Sequence, residues 1–427
     1  MRILITGANG FIGSHLAAWL AAAGHEIVGS ARDARAARRR YPAIIWRQAD
    51  FRSHVDWHLD GIDAVINCVG VLQDGGADST LAAHVDGART LFDACERAQV
   101  RRFIQLSAIG ADPEAGTAYA QSKYEGDRDL MARRLDWIIL KPSLVVARGV
   151  YGGTALLRGL AGLPLITPVI ESAARFQPIH MRDLCTLVTL LLSPEAPVRL
   201  VLEAAGPQPA NLRQLVTAHR DWLGFGRSRI WVPPRWLTDL AFACGDLLGA
   251  LGVRTALRST SRQQMAHDVG GDPDALPRHL GFRARPYEQA LNEEPASLQD
   301  RWHARLYFVK PAARLLLAAF WIVSGLICLS SGRDEAMALA RRAGLGDLDA
   351  FAAVGGGLFD IAIGSAFLLL ARHRRAVLAV MAIVTLAYLA ALTSTLPELW
   401  ADPLGRLTKL MPFFALLGFV AAVEDER

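Results

Sequence analysis

The sequence is poor in cysteine and in net charge, and each shortage excludes a class of protein. Its 427 residues include five cysteines, Cys68, Cys95, Cys185, Cys244 and Cys328. They stand far apart in apolar surroundings, with no CxxC pair and no even-numbered framework. That excludes a disulfide-stapled secreted fold and leaves reduced core thiols, as expected of a cytoplasmic body. The opening run Arg2-Ile3-Leu4-Ile5-Thr6 passes straight into glycines, so no secretory signal is expected. Lys and Arg number 46 against 41 Asp and Glu, a net charge of +5. The basic stretches, Arg38 to Arg40 and Arg372 to Arg375, are short and lack interleaved aromatics, which argues against nucleic acid as a partner. No metal site is expected.

Apolar residues are in excess instead, at 52% hydrophobic against 20% charged, with a mean hydropathy of +0.24. The excess is concentrated between Pro311 and Val423 in long apolar runs, whereas residues 1–310 read as ordinary globular sequence. A soluble body joined to a membrane tail follows, with expected divisions at 1–150, 151–310 and 311–427.

Ile3 to Thr6 is a short, apolar, β-branched run ending in Gly7-Ala8-Asn9-Gly10-Phe11-Ile12-Gly13, after which Ser14 to Ala23 has the composition of a helix. Further strands are predicted at Glu26–Ser30, Ile44–Arg47, Ala64–Val69, Phe103–Ser107 and Trp137–Lys141, with helical stretches between most of them. Such alternation predicts an α/β fold built on a doubly wound parallel sheet. Residues 151–310 loosen into Pro- and Gly-punctuated pieces, with a strand at Leu200–Ala204 and an apolar helix at Trp236–Leu251. These predict a small substrate-side subdomain that returns pieces to the first sheet.

Between a strand and a helix, Gly7, Gly10 and Gly13 have separate tasks: to turn the chain, to let backbone approach a pyrophosphate, and to let helix and sheet pack closely. Asn9, Phe11 and Ile12 complete the turn, and the helix start offers free N–H groups to the phosphates. The second strand ends Gly29-Ser30-Ala31-Arg32-Asp33. An acidic residue there binds ribose hydroxyls and an arginine binds a 2′-phosphate. With Arg32 first and Arg35 close behind, NADP(H) is favoured, with NAD(H) as the alternative. Asp50, Asn67 and Gly70 follow later strands and are positioned to border adenine and ribose, though Asp50 equally suits a turn.

Tyr119-Ala120-Gln121-Ser122-Lys123 sets a phenol and an amine four residues apart, on one face of a helix. A neighbouring ammonium stabilises a phenolate, bringing an acid with a pKa near ~10 toward the working range. Ser107, at the end of the preceding strand, is placed to hydrogen-bond a reacting carbonyl oxygen while Tyr119 exchanges its proton and Lys123 holds the nicotinamide ribose.

Taken together, the glycine turn, Asn67-Cys68-Val69-Gly70, Leu106-Ser107-Ala108, Tyr119 to Lys123 and Lys141-Pro142-Ser143 resemble the short-chain dehydrogenase/reductase superfamily in its extended or atypical branch. The resemblance covers about Met1 to Gln289 and is close to the group that includes the nucleotide-binding accessory subunit of respiratory complex I. It implies a Rossmann core in which Pro142 also borders the cofactor. The segment Phe176 to Asp183 looks like that branch's late segment, with Asp183 expected to cap a helix and His180 either a substrate ligand or a structural residue. Only eleven residues separate Ser107 from Tyr119, a shorter loop than in the sugar epimerases. In the atypical group a bound dinucleotide can be purely structural.

A bilayer core of ~30 Å takes about 20 apolar residues of helix. Ala312–Ser331, Phe351–Ala371 and Ala376–Leu396 meet that length, and Leu407–Val423 is a shorter fourth. The tail resembles the DoxX-like four-helix membrane family through Trp321-Ile322-Val323-Ser324-Gly325 and Asp402-Pro403-Leu404-Gly405. Arg372, Arg374 and Arg375 link the second and third spans, and Arg301, Arg305, Lys310 and Arg314 precede the first. By the positive-inside rule both places are cytoplasmic, so an inner-membrane, multi-pass protein with a cytoplasmic body is expected. Asp360, within the second span, is expected to face the bundle, either paired with Lys409 or protonated and hydrogen-bonded to Ser324 or a backbone carbonyl.

Three functions compete. The first is an NADP(H)-dependent reductase or dehydrogenase for an apolar carbonyl or quinone-like substrate taken from the lipid bilayer. The second is a dinucleotide-binding subunit that assembles or regulates a membrane redox complex without turnover. Nucleotide-sugar epimerisation or dehydration is the third.

Overall fold

The computed structural model describes residues 1–53, 55–75, 79–170, 174–250, 258–265, 269–403 and 405–424; Leu251 and Leu404, named above, lie outside them. The chain divides into two compact units, Met1–Ala304 and Arg305–Arg427.

In the first unit, β1 (Arg2–Thr6), α1 (Phe11–Ala22), β2 (Glu26–Ala31), α2 (Ala34–Arg40), β3 (Ile45–Gln48) and β4 (Ala64–Asn67) are followed by α3 (Gly87–Arg97), β5 (Arg102–Leu106), α4 (Ala118–Met131) and β6 (Trp137–Pro142). Next come β7 (Val145–Val146), α5 (Gly153–Ala161), β8 (Ile166–Pro168), β9 (Ile179–His180), α6 (Met181–Leu191), β10 (Leu200–Ala204), α7 (Leu212–Trp222) and β11 (Arg229–Trp231). Five helices end the unit: α8 (Arg235–Ala250), α9 (Ser259–Met265), α10 (Ala275–Leu280), α11 (Tyr287–Asn292) and the start of α12 (Leu298–Leu329).

Seven strands form one sheet in the order β10-β6-β5-β4-β1-β2-β3, all parallel. Strands of such a sheet are buried on both faces, which is why their sequences are continuously apolar rather than alternating. Side chains still leave a strand alternately up and down. Ile3 and Ile5 join Leu16, Leu20 and Leu184 in one core, while Leu4 joins Val65, Leu91 and Phe92 in the other. The strand order reverses between β1 and β4, and the crevice beyond their carboxyl ends is where such sheets bind ligands.

Two small parallel pairs, β7 with β9 and β8 with β11, stand outside this sheet. Beside them α5 and α7 enclose a third core around Leu157, Leu215 and Trp222. Asp183 does not cap α6. His180 is the N-cap, accepting from Arg182 N at 3.3 Å through Nδ1, because the helix begins three residues earlier than a cap at Asp183 requires. Asp183 instead holds Arg285, accepting from its Nε at 2.9 Å and its backbone N at 3.1 Å.

The second unit continues α12 and adds α13 (Arg333–Arg342), α14 (Asp349–Leu369), α15 (Arg374–Thr395) and α16 (Leu410–Ala422). Among the described residues, α12, α14 and α15 are long and apolar enough to cross a bilayer. The fourth apolar helix, α16, has only 13 residues, because the chain before it is spent on the helical turn Pro397–Ala401 and further turns to Lys409. Glu424, just beyond α16, binds Arg314 of α12 at 2.7 Å and Arg374 at the start of α15 at 3.5 Å. That ion cluster brings the far end of α16 back to the side from which α15 departs.

Small residues let α12 and α14 touch: a Cβ on Gly325 would lie 2.3 Å from the Gly357 carbonyl oxygen. Asp360 is one turn further along that face. The ion pair expected between Asp360 and Lys409 is not formed among the described residues, since Lys409 is the exposed N-cap of the short α16.

Candidate active site

Gly7 sits at φ +65°, in the left-handed region that glycine adopts without steric cost. A Cβ on Gly13 would lie 2.3 Å from the Gly7 carbonyl oxygen, and one on Gly10 would lie 3.1 Å from it. Gly10 is the N-cap of α1 and offers no side chain to its N–H groups. The amides of Phe11, Ile12 and Gly13 therefore lie in a first helical turn, where N–H groups have no intrahelical acceptor. A diphosphate fits this cradle, held by amides and the positive end of the helix dipole. Asn9 is exposed beside it.

At the end of β2, Asp33 caps α2, accepting from Ala36 N at 2.8 Å, so its carboxylate has a structural task. Arg32 is exposed, and its positive charge helps to lower the Asp50 carboxyl. The larger cause of that lowering is the hydrogen bond from Arg52, whose Nε donates to Asp50 at 2.8 Å. Asn67 works inside the sheet rather than at its surface. It accepts from the Thr6 hydroxyl at 2.5 Å and Val69 N at 3.2 Å, and donates to Gln105 at 2.8 Å, tying the ends of β1, β4 and β5 together. Gly70 is exposed, and a Cβ there would approach Lys123 Nζ to 3.9 Å. Pro142 closes β6, its carbonyl accepting from Ile109 N at 3.2 Å.

Thr117 caps α4, accepting from Ala120 N at 3.3 Å, and so fixes where Tyr119 and Lys123 emerge. Lys123 Nζ donates to the carbonyls of Leu106 at 2.9 Å and Val69 at 3.2 Å. Burial pushes this ammonium down to about 8. Tyr119 is pushed up to about 12 by burial and by the negative charge of Asp127. The lowering expected from Lys123 is outweighed, because that ammonium is turned to backbone carbonyls and a carboxylate shares the site.

Asp127 was not anticipated. Tyr119, Lys123 and Asp127 are spaced i, i+4, i+8 along α4, hence on one face, so the signal was present in the sequence. Asp127 is 1% exposed. Its Oδ2 accepts the Ser107 hydroxyl at 2.5 Å and lies 3.7 Å from Lys141 Nζ. Burial raises this carboxyl, against the Ser107 hydrogen bond and the charges of Lys141 and Lys123. Ser107 thus meets the α4 face through Asp127.

His84 is the second addition. Val71 N donates to its Nε2 at 3.0 Å, which places the ring proton on Nδ1 for donation to Ser122 Oγ at 2.9 Å. Burial pushes the imidazole down to about 2, so it is neutral, and its ring stands edge-on to Tyr119 at 5.6 Å. It lies in a π-helical turn before α3, and no spacing along the chain announces that contact. Tyr119 and Thr117 border a pocket of about 160 Å³ whose other walls include Gln73, Thr80, Arg258 and Thr260. Arg258 donates to Gln73 Oε1 at 3.1 Å.

Known proteins agree with this architecture. Residues 7–156 match the NAD(P)H-binding family and residues 318–418 the DoxX-like family. The chain is 26% identical over 336 residues to sterol demethylase protein B of Methylococcus capsulatus, covering 70% of this chain and 99% of that protein. It is 27% identical over 191 residues to ceramide reductase of Caulobacter vibrioides, 42% of this chain and 57% of that one. Among solved structures, the Bordetella bronchiseptica enzyme WbmG in complex with NAD and UDP shares the fold, with a TM-score of 0.52 at 17% identity over 71% of this chain and 96% of that chain.

The fold and the glycine cradle thus define a Rossmann domain that matches the NAD(P)H-binding family over residues 7–156. In this chain it is joined to a C-terminal DoxX-like membrane domain.

Proposed function

We propose that the protein is an NADP(H)-dependent reductase acting on a carbonyl lipid or quinone-like molecule dissolved in the membrane, with its body on the cytoplasmic side of the inner membrane. The observation that carries this reading is the joining of Tyr119, Lys123, Asp127 and Ser107 on one face of α4 and the adjoining strand end. Arg32 beside the cradle, with Asp33 committed to a cap, supports NADPH over NADH. The DoxX-like tail supports a membrane-dissolved substrate, and two relatives bear the names of a sterol and a ceramide enzyme. The pocket beside Tyr119, walled by Leu72 and Ala118 as well as by Gln73, Thr80 and Arg258, suits a lipid that carries hydrogen-bonding groups near its carbonyl.

NADPH, when bound, supplies the hydride that reaches the carbonyl carbon. Tyr119 then donates its proton to the carbonyl oxygen as negative charge develops there, and water restores the phenol. Its high pKa keeps it protonated at neutral pH, as an acid requires. Lys123, already at the strand end beside Gly70, holds the ribose. Asp127, when protonated, donates to Ser107 and frees the serine proton for the reacting oxygen.

The test is transfer of deuterium from 4-deuterated NADPH to a long-chain ketone or quinone in nanodiscs, read by mass spectrometry of the extracted lipid. Label in the product supports the reading. Bound NADPH with no transfer to any such lipid overturns it in favour of a dinucleotide-binding subunit that assembles or regulates a membrane redox complex.

A further inference from the structure

Large apolar side chains of the first unit are exposed on two consecutive segments, the β8–β11 pair and α8. Leu165, 78% exposed, and Ile166 lie at the start of β8, and Trp231 and Val232 at the end of its partner β11. The two strands are in register, Arg229 opposite Ile166 and Trp231 opposite Pro168. Two prolines later α8 begins, and Trp236, Leu240 and Leu247 are all exposed along it, Trp236 at 67%. Their spacing of i, i+4 and i+11 puts them on a single stripe of the helix. The other side of α8 is occupied: Phe242 is 2% exposed, and Asp239 and Asp246 hold Arg262 and Ser259 of α9.

A stripe of this kind on a soluble surface marks a contact with something apolar, and two observations say what it is. Arg227, Arg229 and Arg235, all exposed, interleave with Trp231 and Trp236. Tryptophan between arginines suits the boundary of a bilayer, with ring bodies among acyl chains and cations at anionic headgroups. The second observation is the chain's path. Gly162, three residues before Leu165, packs on Ala304, so closely that a Cβ there would lie 2.4 Å from the Ala304 carbonyl oxygen. Ala304 belongs to α12, which continues as a candidate membrane span. The start of this apolar surface therefore lies close to the residue at which the first unit ends.

We propose that this surface, formed by β8, β11 and α8, is a monotopic docking face that rests in the headgroup region of an anionic bilayer. It seats the body by a second attachment besides the spans. Because α8 carries α9, and α9 supplies Arg258's neighbour Thr260 to the pocket beside Tyr119, docking brings that wall next to lipid. The inference does not rest on turnover and fails or stands separately from it.

The test uses the full chain in nanodiscs made with ordinary or brominated phosphatidylcholine, each with phosphatidylglycerol. The difference in tryptophan emission between wild type and the Trp231→Phe/Trp236→Phe variant isolates those two rings from the other tryptophans. Docking predicts that bromolipid cuts this difference at least twofold, and that Arg227→Gln/Arg229→Gln/Arg235→Gln reduces the quenching. An unchanged difference in bromolipid overturns the proposal. If the unquenched rings are also shielded from acrylamide, the face belongs to a protein partner such as a second copy, and the lipid assignment is equally overturned.

Discussion

The Ser107 hydroxyl donates to Asp127 Oδ2 at 2.5 Å, deep in a site where the carboxyl is 1% exposed. A serine has one proton. While Asp127 is charged it holds that proton, and Ser107 has only lone pairs for a substrate. When Asp127 is protonated it donates to Ser107, whose own proton is then available to a carbonyl oxygen.

This relationship predicts a pH dependence of direction. Burial raises Asp127 above the ordinary carboxylate range, opposed by Lys141 and Lys123. Carbonyl reduction is expected to slow as pH rises through that raised value, and alcohol oxidation to speed up. Asp127→Asn, which keeps the shape and cannot titrate, is expected to flatten both profiles and to leave the NADPH Kd unchanged. Profiles that keep their slopes in the variant would assign the dependence to another group.

Arg32→Ala is expected to weaken NADPH by about 10-fold or more, the scale of a charge-assisted phosphate contact, and to leave NADH within a factor of about two. Isothermal titration of both nucleotides against wild type and variant decides it, and equal losses for the two would remove Arg32 from the 2′-phosphate.

Lys123 makes a prediction about stability. Its pKa falls from 10.5 to about 8 on folding, so between those values the unfolded chain binds more protons than the folded one. Stability from this group therefore rises with pH across that window, and below about pH 8 the buried charge is a constant cost. The Tm difference between wild type and Lys123→Met in detergent should shift in favour of wild type from pH 8 to 10. A constant difference would contradict the burial of a charged Lys123.

Glu424→Gln removes the charge that Arg314 and Arg374 share at 2.7 and 3.5 Å. Breaking a buried pair in this way costs about 3–5 kcal/mol, and the second unit is expected to lose thermal stability in detergent accordingly. An unchanged melting curve would mean that the cluster does not hold α16 to α12 and α15.

Much of the fold was legible because parallel strands are apolar throughout: Leu200–Ala204 was placed to the residue, even though it joins the sheet beside β6 from far along the chain. The glycine cradle and the Tyr119–Lys123 pair were legible because local spacing fixes them. Asp127 was readable in principle by extending the same helical period one step further. His84 was not, since only the packing of the turn before α3 on α4 brings it to Tyr119. The shortness of α16 was hidden because Leu407 has the same hydropathy in a turn as in a helix, and Pro397 is the local mark of the interruption. Asp183 misled because carboxylates serve equally as caps and as ion-pair partners.

The central claim is that Tyr119 delivers a proton during hydride transfer from NADPH to a membrane-dissolved carbonyl. Single-turnover oxidation of bound NADPH, followed in nanodiscs loaded with a long-chain ketone, measures it directly in wild type and Tyr119→Phe. The variant is expected to bind NADPH normally and to transfer hydride about 10²- to 10⁴-fold more slowly, the range for loss of a general acid. Equal rates in the two proteins would contradict it.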